Sequence, residues 1–382
     1  MVIARPNPFK FGDPVEGEYY YPRPELTQSV RQFLENRIHV TLIGPRRFGK
    51  TSFILDLFHS LEEKGTTCFF VDIFNVTSHR DFLQQILRAL RAKKKWNQRL
   101  KEWFASIPRL KPKISWETDE NGEMNLSLTP EFSAEKDSKE MIQDSIAALG
   151  SLDKRVIVAI DEFQTIAELE DQGWLEATLR TQMQQLKNVS FLFSGSRKSI
   201  IQDMLNNPSR PFYRSCQPVE FPPLDDEFSE WIVQRFKLSE VECELEAVED
   251  LRSLVQDTPN YVQMTCYHLV AQGVQRVDRR TIREALRTIV KQNSYAYQTL
   301  LNSLTPLQQR VLRLAAVESE GIFSKELISR YELSSGPAVA SAVKSLKQKQ
   351  VLDEGTAKGK VLFDDPLFAI WLKTEFGPLE KP

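Results

Sequence analysis

The run Gly44-Pro45-Arg46-Arg47-Phe48-Gly49-Lys50-Thr51 constrains this chain more than any other stretch. It fits the spacing G-x-x-x-x-G-K-[ST] and lies between a strand-like run, Ile38 to Ile43, and a helix-like run, Thr51 to Leu61. Strand, glycine-rich loop and helix in that order make a phosphate cradle. The glycines permit positive φ and close backbone approach, while the helix N-terminus aims amides and a dipole at an anion. Lys50 is placed to reach β and γ phosphates, and Thr51 to offer its hydroxyl to Mg²⁺. Gly44, Pro45, Arg46, Arg47, Phe48, Gly49, Lys50, Thr51 and Ser52 are therefore the expected nucleotide-binding residues. The loop's own mechanics assign no role to Arg46 and Arg47, for which phosphate, a neighbour or solvent are the open partners.

A second motif supplies what such a loop lacks. Arg155-Val156-Ile157-Val158-Ala159-Ile160-Asp161-Glu162 reads as a parallel strand buried on both faces with two carboxylates at its C-terminal end, where open α/β sheets bind ligands. Asp161 is expected to hold Mg²⁺ through its water shell, and Glu162 to polarise the water that attacks the γ phosphate. A further strand, Val189 to Phe193, ends in Ser194-Gly195-Ser196-Arg197. A hydroxyl there can reach the γ phosphate, and Ser194 is preferred over Ser196. Arg214, in Arg210-Pro211-Phe212-Tyr213-Arg214, is read either as a finger for a neighbouring subunit's phosphates or as an ordinary surface charge.

Length and composition bound the rest. At 382 residues the chain exceeds what one core supports, so several domains are expected. A formal net charge of -2 provides no global pull toward nucleic acid or membrane, so any such binding must be local. Cys68, Cys216, Cys243 and Cys266 lack C-x-x-C spacing, and the four histidines are scattered, which argues for reduced thiols and against a protein metal site. With prolines where a signal peptide needs an apolar run, a cytoplasmic location and no membrane partner are expected.

Between the motifs the pattern is α/β. A helix to about Asn36 places Leu26, Val30 and Phe33 on one face, and Thr67 to Phe74 reads as a buried strand. Leu83, Ile86, Leu87 and Leu90 recur at helical spacing, followed by a basic and aromatic stretch from Arg91 to Phe104. That stretch is read as a solvated face with buried aromatics, or else as a contact for nucleic acid. Alternation around Asn121-Gly122 predicts a hairpin inserted over 112–130, and Ile142, Ile146 and Leu149 a helix that Gly150 stops. Pro222-Pro223 marks a boundary. Beyond it, to about Asn302, the pattern is helical and carries a stripe of Arg279, Arg283, Arg287 and Lys291. From Ser303 three short helices and a hairpin predict a winged helix-turn-helix of nearly balanced charge, a module that binds DNA or packs on protein. The expected fold class is a three-layer P-loop core with a parallel sheet over 1–222, an all-α lid over 223–302 and a winged helix over 303–382.

The order of these motifs resembles the AAA+ superfamily, and within it the archaeal-type ATPases related to the STAND ATPases. The resemblance is carried by the P-loop through Ser52, Ile160-Asp161-Glu162-Phe163-Gln164, Phe193-Ser194-Gly195-Ser196, Arg210-Pro211-Phe212-Tyr213, Thr258-Pro259-Asn260-Tyr261-Val262-Gln263 and Phe363-Asp364-Asp365-Pro366-Leu367-Phe368. It implies a sheet with the sensor strand between the P-loop and Asp-Glu strands, Lys50 and Thr51 as phosphate and Mg²⁺ ligands, Asp161 and Glu162 as metal-binding and catalytic carboxylates, Ser194 as sensor, and Pro259 as the lid proline near adenine. The chain departs from the family at Asp257 and Pro22, where glycine is usual. Together the readings predict a Mg-dependent ATPase that switches between ATP and ADP states, its winged helix passing the state to DNA or a protein, with ATP-dependent self-assembly if Arg214 acts in trans. The alternative is a DNA-binding regulatory or replication factor that holds ATP as a structural ligand.

Overall fold

The computed structural model describes residues 7–92, 112–118, 124–130, 135–152, 154–169, 172–318, 321–354 and 361–377. The chain divides into two compact units. One comprises Pro22–Gly44 and Lys50–Pro222, the other Met1–Tyr21, Pro45–Gly49 and Pro223–Pro382.

The first unit is organised by a five-stranded parallel sheet. Its strands are β1 (Val40–Ile43), β2 (Thr67–Asp72), β5 (Val156–Asp161), β6 (Val189–Gly195) and β7 (Gln217–Glu220), in the order β2-β5-β6-β1-β7. The strand after the Asp-Glu motif thus lies between that motif and the P-loop strand, as the resemblance implies. Every residue of β1, β5 and β6 is buried, which explains their uninterrupted apolar sequences. Phe69, Val158, Ile160 and Phe193 of the sheet share one core with Phe82, Leu83 and Ile86 of α3 (His79–Arg91). The same core takes Ile142 and Ile146 of α4 (Glu135–Ala147), Leu175 and Leu179 of α5 (Gln172–Gln185) and Ile201 of α6 (Lys198–Asn206). An antiparallel hairpin, β3 (Pro112–Thr118) and β4 (Met124–Pro130), pairs Ile114 with Leu128 and Trp116 with Leu126. Its Asn121-Gly122 turn and the stretch from Lys93 to Phe104 lie outside the described residues.

Two local expectations change. Helix α1 (Pro24–Glu35) buries Leu26, Val30 and Leu34, leaving Phe33 half-buried, because an i, i+4, i+8 stripe meets the core better than the expected i+3 step. Gly150 does not stop α4 with a left-handed cap. It sits inside a 3-10 turn, Ala148–Ser151, where a Cβ would stand 2.6 Å from Leu186 Cδ2, so close packing requires the glycine.

The second unit is mostly helical: α7 (Glu227–Lys237), α8 (Leu245–Leu254), α9 (Pro259–Ala271), α10 (Arg279–Gln292) and α11 (Ser294–Asn302), with a short parallel pair of β8 (Glu242–Cys243) and β9 (Arg276–Val277), precede the C-terminal module. That module runs α12 (Pro306–Val317), α13 (Lys325–Arg330), α14 (Gly336–Gln348), β10 (Leu352–Glu354), β11 (Val361–Phe363) and α15 (Pro366–Phe376). Its boundaries are set by side chains. Thr305 and Gln308 close a capping box at α12, while Ser324, Ser335 and Asp365 each accept a backbone N–H at the start of α13, α14 and α15. Strands β10 and β11 pair antiparallel as the wing, and Val311, Leu314, Val339, Leu346 and Trp371 fill a shared core. Among the described residues no helix is long and apolar enough to cross a membrane.

Candidate nucleotide site

The loop after β1 has the backbone its glycines predict at one position and not at another. Gly49 takes φ +89°, a conformation that resists side chains. Gly44 instead keeps a negative φ and is needed for space, since a Cβ there would stand 2.6 Å from Phe221 Cβ. Arg47 also adopts positive φ, at 63°. Helix α2 (Lys50–Glu62) begins at the loop's lysine, whose buried Nζ donates to Gly44 O at 2.8 Å. Thr51 Oγ1 donates to Asp161 Oδ2 at 2.6 Å, so the two expected Mg²⁺ ligands are already adjacent.

Burial raises the pKa of Asp161. The neighbouring Thr51 and Ser194 hydroxyls and the Lys50 charge oppose that rise, whereas the Glu162 charge adds to it. A partner cation would remove this penalty, as expected for a carboxylate held ready for a metal. Glu162 follows in the left-handed region, at φ 56°. Its Oε2 accepts from Gln164 Nε2 and, at 3.0 Å, from Ser196 Oγ. The two serines face different carboxylates: Ser194, fully buried, lies toward Asp161, and Ser196 donates to Glu162. Gln164 closes the Ile160-Asp161-Glu162-Phe163-Gln164 motif that carries the resemblance, but the sequence assigned it no role of its own.

Arg214 stands apart. Its backbone adopts positive φ, at 51°, and its exposed guanidinium lies 5.1 Å from the Tyr213 ring centroid. Among the described residues no contact joins it to Lys50, Thr51, Asp161 or Glu162. Its neighbour Arg210 is internal, bound to the buried Glu176 at 2.6 Å.

In the second unit the loop segment Pro45–Gly49 meets the wing. Arg46 donates to Gln350 Oε1 at 2.7 Å and lies 3.8 Å from Asp364 Oδ2, while Arg47 donates to the Tyr261 hydroxyl. Burial raises the pKa of Asp364 and Asp365; Arg46 and then Arg47 oppose it at Asp364, and Arg47 opposes it at Asp365. Pro259 occupies the first turn of α9, half-buried. Before it, Gln256 and Asp257 both have positive φ, at 53° and 55°. Asp257 thus takes the left-handed backbone for which glycine is usual, and its carboxylate accepts from Arg252 Nε at 2.7 Å. At the other departure, buried Arg23 beside Pro22 donates to Pro222 O at 2.8 Å. On α10 the stripe is partly neutralised: Arg283 pairs with Asp250 at 3.2 Å, while Arg279, Arg287 and Lys291 face solvent.

A parallel sheet with this loop and this carboxylate pair defines a P-loop nucleoside triphosphatase core. Family comparison sharpens the class: residues 34–204 match an AAA domain and residues 295–374 a probable winged helix domain. The chain thus carries a P-loop core whose sequence matches an AAA domain and a C-terminal region that matches a winged helix domain. A search of curated proteins finds no match. Among solved structures the chain is similar to a Walker-type ATPase of Pyrococcus abyssi, with 19% identity, a TM-score of 0.62, and 94% of this chain and 97% of that one covered. It is also similar to the Aeropyrum pernix ORC2 protein in its ADPNP-ADP complexes, with 16% identity, a TM-score of 0.55, and coverage of 94% and 96%. The Aeropyrum pernix ORC1 protein in complex with DNA matches with 13% identity, a TM-score of 0.51, and coverage of 94% of each chain. At these identities the likeness is one of fold.

Proposed function

We infer that the chain binds ATP, hydrolyses its γ phosphate with Mg²⁺, and uses the winged helix to relay the nucleotide state to DNA or a protein partner. The observation that carries the chemistry is the Thr51–Asp161 contact beside Glu162. Two hard oxygen donors 2.6 Å apart suit Mg²⁺, which binds through few protein oxygens and the nucleotide's phosphates. That ion would neutralise charge on the β and γ oxygens. Lys50 would give its charge to the same phosphates, exchanging the Gly44 carbonyl for phosphate oxygen. Glu162 would accept the proton of the attacking water. Pro259, at the first turn of the lid helix α9, is assigned to the adenine side.

The relay reading is supported by Arg46 and Arg47, which lie within the phosphate loop's sequence and hold Gln350, Asp364 and Tyr261. Phosphates on the loop compete for the same guanidinium groups, since arginine binds phosphate and carboxylate alike. ATP is therefore expected to loosen the wing, and hydrolysis to restore it. The DNA arm rests on the winged helix together with the ORC1 likeness, whose own structure contains DNA. A DNA-binding regulatory or replication factor that holds ATP as a structural ligand is the second reading, and the DNA in the ORC1 structure supports its DNA-binding half.

The test is a pair of variants. Lys50→Ala should abolish nucleotide binding. Glu162→Gln should retain ATP and lose turnover by about 100-fold or more, the scale of a lost general base. Phosphate release at the wild-type rate from Glu162→Gln would contradict the role given to Glu162, and absence of turnover in the wild type would select the second reading.

A further inference from the structure

Glu162 is oriented by groups outside the P-loop. Ser196 and Gln164 both donate to its Oε2, and Gln164 is only 5% exposed. The amide has one workable orientation: turned over, it would aim Oε1 at the carboxylate, acceptor against acceptor. In the orientation present, Oε1 is buried without a hydrogen-bond partner. Such an orphan is destabilising, a cost a purely structural residue would shed by becoming apolar. Space for it comes from Gly195, where a Cβ would collide with Gln164 Oε1 and Ile201 Cδ1. Glu162 itself adopts the left-handed backbone at φ 56°, so the carboxylate has both ends of its side chain prescribed.

We propose that Gln164 and Ser196 are positioning residues that occupy Oε2 of Glu162 and so present Oε1 to the attacking water. The inference rests on the hydrolysis reading above. In that step the water oxygen bonds to the γ phosphorus, the bond from that phosphorus to the bridging oxygen breaks, and its electron pair leaves on ADP. The water proton goes to Oε1. Gly195 is part of the device because a side chain there would collide with the Gln164 amide.

The experiment measures nucleotide affinity, single-turnover hydrolysis and melting temperature for the wild type and for Gln164→Ala, Ser196→Ala and Ser196→Thr. The alanine variants should bind nucleotide within about twofold of the wild type and hydrolyse it about 10- to 100-fold more slowly, as a displaced catalytic group does. Ser196→Thr keeps the hydroxyl and should recover most of the rate. Wild-type turnover that survives in both alanine variants overturns the positioning role alone. Affinity and rate falling together, with no recovery in Ser196→Thr, also overturns it, because a packing role would do that. No turnover in the wild type overturns the hydrolysis reading, and this inference with it.

Discussion

At the scale of single residues, polar groups are buried where they organise a neighbour. Glu176 is enclosed beside Arg210, and burial pushes its pKa from an ordinary 4.5 up to about 7, against the opposing pull of the Arg210 charge. A raised folded pKa means the native state binds more protons than the unfolded chain between those values. The resulting stabilisation is full below pH 4.5 and is lost as pH rises through about 7. Urea denaturation from pH 5 to 8 should therefore show a fall in stability that Glu176→Gln flattens; parallel curves for the two proteins would refute this. The glycine motif of the P-loop and the carboxylate pair were legible at this scale because their spacing is local. The pairing of Gln164 and Ser196 with Glu162 was not, because it depends on how β5 and β6 lie in register, with Ile160 opposite Phe193.

At the scale of elements, strands β1, β5 and β6 were readable since burial on both faces leaves an uninterrupted apolar run. The helix stop assigned to Gly150 failed because a glycine chosen for side-chain clearance looks the same in sequence as one chosen for φ. Asp257 shows the converse: an Asp whose carboxylate holds Arg252 fills a left-handed position usually given to glycine. The partners of Arg46 were also hidden, since Gln350 lies 304 positions away in the chain. The Arg46–Asp364 contact, at 3.8 Å and partly exposed, should have a coupling of only about 0.5–1 kcal/mol after screening. In a double-mutant cycle without nucleotide, Arg46→Asp should destabilise the chain and adding Asp364→Arg should recover that amount. Strictly additive effects would show that the pair contributes nothing.

At the scale of the whole molecule, a region that matches an AAA domain and one that matches a winged helix domain share one chain, and the phosphate loop's own arginines are bound by Tyr261 of α9 and by Gln350 beside the wing. A chain that only stored nucleotide would have no need of Glu162, and one that only bound DNA would have no need of Lys50. If the wing reads the state of the phosphate site, amide hydrogen exchange in β10 and β11 must follow the nucleotide, measured without nucleotide, with ATP and Mg²⁺ on Glu162→Gln, and with ADP. Exchange should be faster in the ATP-loaded protein and return toward the nucleotide-free rate with ADP. Wing exchange that stays the same in all three states, in a protein shown to bind the nucleotide, would contradict it.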